Sequence, residues 1–132
     1  MAQRRGHPRG DGPLKLQAYC ELKHVLVSSG GRDFHGVIDD QLQSLGARRT
    51  VAVSAHQYNL APIVVGSSDY ICTLPERFLL RFSDRRDSFE LPFETQTFGL
   101  LAAWHPRSQA DPAHIWLREQ LSDIVRALDR GS

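Results

Sequence analysis

Apolar runs and polar breaks alternate most clearly from Arg49 to Phe82. Thr50-Val51-Ala52-Val53-Ser54 reads as a buried strand, and the polar stretch through Asn59 as the loop that follows it. Leu60 to Gly66 reads as a short helix whose start is set by Pro62, since proline is tolerated only in a first turn. That places the helix start near Tyr58 or Asn59, with Asn59 as its cap. Asp69 to Cys72 reads as a second strand. Thr73-Leu74-Pro75-Glu76 has capping-box spacing for a helix through Phe78, Leu79 and Phe82. Two short strands separated by one helix form the minimal unit of a parallel sheet, and such sheets bind ligands at the carboxyl ends of their strands.

The remaining segments extend this pattern in both directions. Leu14 to Leu22 reads as a helical turn, and Lys23 to Ser28 as the first buried strand, ending in Ser28-Ser29-Gly30-Gly31. Phe34, Val37, Ile38, Leu42 and Leu45 recur at steps of three and four, which predicts an amphipathic helix capped by Asp33 and closed by Gly46. Asp39, Asp40, Gln41 and Gln43 lie off that stripe and read as a solvated face. Ser83 to Ser88 reads as a polar turn, and Phe89 to Phe93 as a strand that Pro92 confines to an edge. Phe98 to Trp104 is a wholly apolar run read as a strand. Asp111-Pro112 opens the longest helix, with Ala113, Leu117, Leu121, Ile124 and Leu128 on one face and Gly131 after its end.

A chain of 132 residues with 41% hydrophobic and 23% charged content fits one globular α/β domain. A formal charge of +1 argues against a strongly basic nucleic-acid binder. Basic residues cluster only at Arg4, Arg5 and Arg9, in a stretch to Pro13 rich in Arg, Gly and Pro, read as a flexible basic arm over residues 1–13. Cys20 and Cys72 form no Cys-x-x-Cys pair, and no stretch approaches the length of a membrane span or a signal peptide. A cytoplasmic, reducing location is expected.

Several segments, in order and with matching gaps, resemble the effector-binding (substrate-binding-like) domain of LysR-type transcriptional regulators, in the branch with nodulation and nitroaromatic regulators. They include Arg5-Gly6-His7-Pro8, His24-Val25-Leu26-Val27-Ser28, Gly36-Val37-Ile38-Asp39-Asp40, Val51-Ala52-Val53-Ser54, Ser68-Asp69-Tyr70-Ile71, Thr73-Leu74-Pro75-Glu76-Arg77 and Trp104-His105-Pro106-Arg107. The resemblance implies two α/β lobes like a type-II periplasmic binding protein, with a small effector held in the cleft between them. Residues 14–97 would be the second lobe, and 98–132 the strand and helix returning to the first. The family's winged helix-turn-helix and most of its first lobe find no counterpart here, so a truncated chain is expected, touching DNA only through that absent element.

The resemblance places Ser54, His56, Gln57, Tyr58 and Asn59, and more loosely Ser28 and Ser29, against the effector. Strand-end geometry alone selects the same loop and, through the helix dipole, an anionic guest such as an aromatic or organic acid. The competing reading is that these residues cap a helix and satisfy loop backbone. Ser54, His56 and Asp69 could suggest a catalytic set, as could Cys72 with a histidine, but there is no Gly-x-Ser-x-Gly elbow and Cys72 reads as buried. No enzyme activity, cofactor or metal site is expected; the six histidines lack zinc-ligand spacing. Apolar faces at Phe98–Trp104 and Leu117–Leu128 lead us to expect a homo-oligomer or a poorly soluble monomer. The alternative function is a vestigial or dimerising module without ligand or DNA binding of its own.

Overall fold

The computed structural model describes residues 1–28 and 34–130. Its elements are β1 (Ala2–Arg4), α1 (Leu16–Glu21), β2 (Lys23–Val27), α2 (Val37–Ser44), β3 (Thr50–Ala55), α3 (Leu60–Gly66), β4 (Ile71–Cys72), α4 (Glu76–Leu79), β5 (Arg86–Ser88) and α5 (Pro112–Arg130). Two compact units result, 1–96 and 97–132.

The first unit is built on one sheet with strand order β3-β2-β4-β1-β5. β2 pairs in parallel with β3 on one side and β4 on the other, while β1 runs antiparallel to both β4 and β5. Alternation along the strands sorts side chains into two clusters. Ala2, Val25 and Cys72 pack with Ala61 and Val65 of α3 and Leu79 of α4. Met1 and Ile71, one residue out of phase, pack with Tyr19 of α1 and Leu42 of α2. A strand residue reverses face at each step, so this division gives a sheet covered by helices on both faces.

Local chemistry sets the helix ends. Gly36 caps α2: its N–H donates to Asp39 Oδ2 at 2.8 Å, and its carbonyl accepts from the Asp39 and Asp40 N–H groups. A side chain at Gly36 would bring Cβ within 3.1 Å of Leu26 Cδ1, so glycine also permits the close approach to β2. At the other end Gly46 takes φ +67°, and the Gly46 and Ala47 amides return to the Gln43 and Leu42 carbonyls. That is the left-handed closure expected of a glycine after a helix. The predicted cap Asp33 lies outside the described residues, as do Ser29 and Gly131.

Four expectations about the first unit are corrected. Residues 1–13 are not a solvated arm: Ala2–Arg4 lies between β4 and β5, and Ala2, Gln3 and His7 are buried. Arg4 and Arg9 there are structural. Arg4 pairs with Asp69 at 2.7 Å, and Arg9 donates to Gln3 and to the Gly12 carbonyl while stacking over Phe89. Second, the last strand of the sheet is Arg86–Ser88, not Phe89–Phe93, and a 3₁₀ turn at Leu80–Arg85 precedes it. Pairing with β1 selects that register, and it continues only as far as the exchange between Met1 and Phe89. Third, α4 starts after Pro75 rather than Thr73, because the Thr73 hydroxyl is bonded to Tyr19 instead. Fourth, Asp39 is not on a solvated face. Arg49 holds it through two 2.8 Å bonds, with their side chains 1% and 12% exposed respectively.

In the second unit, Phe98–Trp104 forms no strand. An apolar run supplies no ladder partner by itself, and backbone pairing is what makes a strand. α5 begins as expected: Asp111 Oδ1 accepts from the Ala113 and His114 N–H groups. Its stripe Leu117, Leu121, Ile124 and Leu128 is exposed rather than buried. Trp104 donates to Gln109 at 2.7 Å, and the Arg118 guanidinium lies 4.6 Å from its ring centre.

Candidate functional site

The three parallel strands end along one rim. β3 stops at Ala55 and β2 at Val27, paired with each other in register, while β4 stops at Cys72, level with Val25 and two residues short of them. The Ser28 N–H donates to the Ala55 carbonyl at 2.9 Å and ties the first two ends together. Chain segments leaving the carboxyl ends of parallel strands are where α/β sheets present ligand groups.

Of the residues singled out in the sequence, His56, Gln57, Tyr58 and Asn59 form the exposed loop after β3, and Ser28 is half-buried beside it. Ser54 belongs to β3 itself, opposite Leu26, and the strand runs on through Ala55, so the loop begins one residue later than expected. Ser29 lies outside the described residues. Asn59 takes the N-cap position of α3 in helical conformation and makes no side-chain capping bond. Its amide is therefore not consumed as the competing reading required. The free N–H groups expected there are reduced, since the Leu60 N–H already donates to the Gln57 carbonyl at 3.2 Å.

The loop after β3 reaches the segment after β4 through aromatic rings. Tyr58 meets Phe78 edge-on at 5.5 Å between centroids, and Phe78 meets Phe82 at 5.3 Å. Such pairs contribute about 1 kcal/mol beyond their burial and fix relative orientation. Tyr58 remains about half exposed (48%).

A buried polar network supports the rim. The Tyr19 hydroxyl lies 2.8 Å from Thr73 Oγ1 and receives a long N–H bond (3.4 Å) from Arg49, which also grips Asp39. Burial pushes the Asp39 carboxyl up, but the Arg49 bonds and charge and the Gly36 N–H outweigh it, leaving it below its ordinary value. Burial raises the Tyr19 phenol despite Arg49 and Thr73, so it stays protonated. Behind them His24 Nε2–H donates to the Tyr19 carbonyl at 2.8 Å, and burial lowers this imidazole to about 4. Thr73, Arg49 and Phe78 were missed as contributors to the rim. Thr73 carried a signal, since it directly follows an apolar strand; Arg49 carried none.

Among the described residues no three His, Cys, Asp or Glu side chains come together as a metal site. Burial lifts the Cys72 thiol to about 11, which removes the thiolate a nucleophile needs. Among the described residues, no helix is long and apolar enough to cross a membrane.

Residues 1–126 match the LysR substrate binding domain. The chain belongs to this family. It is 28% identical to the HTH-type transcriptional activator NagR of Ralstonia sp. over 92% of its own length and 40% of NagR. It is 26% identical to the regulator SyrM of Rhizobium meliloti over 90% of its own length and 37% of SyrM. The regulatory domain of MexT, a transcriptional activator in Pseudomonas aeruginosa, superposes with a TM-score of 0.69 at 31% identity, over 92% of this chain and 58% of that one. The chain thus spans about two fifths of the curated relatives it matches. The open α/β sheet is that of LysR regulatory domains, with their type-II periplasmic-binding-protein-like fold, and these relatives are transcriptional regulators rather than enzymes.

Proposed function

We propose that this LysR substrate-binding domain senses a small aromatic or organic acid at the rim formed by Ser28, Ser54 and the His56–Asn59 loop, in the service of transcriptional control. One observation carries the reading: the exposed loop sits at the carboxyl ends of parallel strands and presents imidazole, amide and half-open phenol groups together. Imidazole and amide N–H groups suit a carboxylate, and the Tyr58 face suits an aromatic ring. The matched relatives are named as HTH-type regulators, and the matched stretch is their substrate-binding domain, so effector sensing is the role proposed for these residues and DNA reading is not. We also infer self-association through exposed apolar faces, with a second copy of the chain as the partner.

Titration with benzoate, followed through backbone amide resonances, tests the sensing role. The amides of Ser28 and of Ser54 to Asn59 are expected to move together. His56→Ala and Tyr58→Ala should each weaken binding about tenfold, the value of one good polar or stacking contact. Shifts confined to α5, or variants that bind as the parent does, would remove the assignment.

A further inference from the structure

The direction of the hydrogen bonds beneath the rim can be worked out from which groups are able to donate. A guanidinium has five N–H donors and no acceptor, so in the contact between Arg49 and the Tyr19 hydroxyl the oxygen of Tyr19 accepts. Tyr19 is fully buried (0% exposed), and among the described residues Thr73 Oγ1 is the hydroxyl or carboxylate oxygen within reach of its proton. If Thr73 instead donated to Tyr19, the phenol proton would be left buried without an acceptor, at a cost of about 1–3 kcal/mol. The chain therefore runs Arg49 N–H to Tyr19 O, then Tyr19 O–H to Thr73 Oγ1. Its effect is to leave the Thr73 hydroxyl proton unused by the interior.

We propose that Thr73 is a further guest-binding residue of the rim, a hydroxyl donor whose direction is set by Tyr19 and Arg49. Thr73 follows β4 directly, at the same carboxyl end of the parallel strands as Ser28 and the His56–Asn59 loop, one step beyond the Cys72–Val25 pair and so set slightly back from them, and it is half-buried, with access to solvent. Such a donor matches a carboxylate or another anionic oxygen. Tyr19 and Arg49 are positioning residues that act through Thr73. The Asp39 carboxylate grips two of the guanidinium nitrogens of Arg49 in parallel, which holds its remaining N–H groups in a fixed plane. This inference rests on the effector reading above and adds a residue to that site.

Benzoate titrations of four proteins decide it: the parent, Thr73→Ser, Thr73→Val and Tyr19→Phe. Thr73→Val keeps the shape and removes the hydroxyl; it should bind at least fivefold more weakly, about the value of one hydrogen bond. Thr73→Ser keeps the donor and should bind like the parent, a rescue that a packing role would not produce. Tyr19→Phe should weaken binding in the parent and make no further difference in the Thr73→Val background. A Thr73→Val protein that binds as the parent does, with the His56–Asn59 amides still shifting, overturns this inference and leaves the effector reading standing. A parent that binds no benzoate removes both.

Discussion

His24 is fully buried, and its Nδ1 has no hydrogen-bond partner among the described residues. The groups around it are the Tyr19 carbonyl and ring, Arg49 and Asp39. Burial is the largest influence, and Arg49 adds to it, so the neutral ring is the native form and donates from Nε2. The folded imidazole titrates near 4 against an ordinary 6.5. Between those values the unfolded chain binds the extra proton, so stability is complete above about pH 6.5 and falls as the pH drops toward about 4. Urea unfolding should show the protein about 2 kcal/mol less stable at roughly pH 5 than at roughly pH 7. His24→Gln should flatten that slope. Asp39 acts separately. Its carboxyl lies below its ordinary value of 3.8, so the stability it contributes is lost only at lower pH. A midpoint unchanged between the two pH values would place His24 in contact with water.

At the scale of elements, β1 shows how a residue pattern can mislead. Three residues, Ala2-Gln3-Arg4, carry no period and stand among Arg, Gly and Pro, yet they pair on both sides within the sheet. Their partners are about seventy and more residues away in the chain, at Cys72 and at Arg86–Ser88, so nothing local marks them. The opposite error occurs at Phe98–Trp104, where apolarity suggested a strand and no pairing exists. β2, β3, α3 and β4 were legible because each is a short, mostly apolar run set off by polar residues, Gly or Pro, and burial on both faces requires such runs. The loop after β3 was legible for the same reason. The buried network was not, because Arg49 and Asp39 read as surface charge until tertiary packing brings them together. The role of β1 is open to a direct measurement. Ala2→Asp places a charge where 1% of the residue is exposed, and should cost on the order of 3 kcal/mol in urea unfolding. Gly12→Ala, where an added methyl meets no heavy atom within 4 Å, should stay within about 0.5 kcal/mol. Equal small effects at both positions would return residues 1–13 to the status of a solvated arm.

For the whole molecule, the decisive fact is how much apolar surface the second unit leaves uncovered. Leu100 and Leu101 are 92% and 95% exposed, and every member of the α5 stripe from Leu117 to Leu128 is about half exposed. Leu117, Leu121, Ile124 and Leu128 follow spacings of four, three and four, the seam along which two helices pack knobs into holes. Exposed aliphatic surface on this scale drives association, each side chain contributing about 1.5–3 kcal/mol when it is fully buried. A second copy of α5 offers a matching stripe at the same spacing, which makes self-pairing the simplest way to cover it. Sedimentation should therefore show a dimer or larger species at micromolar concentration. Leu121→Glu combined with Ile124→Glu should yield a monomer while leaving the amide spectrum of β2 and β3 unchanged, because neither residue belongs to the first unit. Benzoate binding at the rim should survive that change, since all of its residues belong to the first unit. A parent protein that sediments as a monomer would show that a second copy does not cover this stripe.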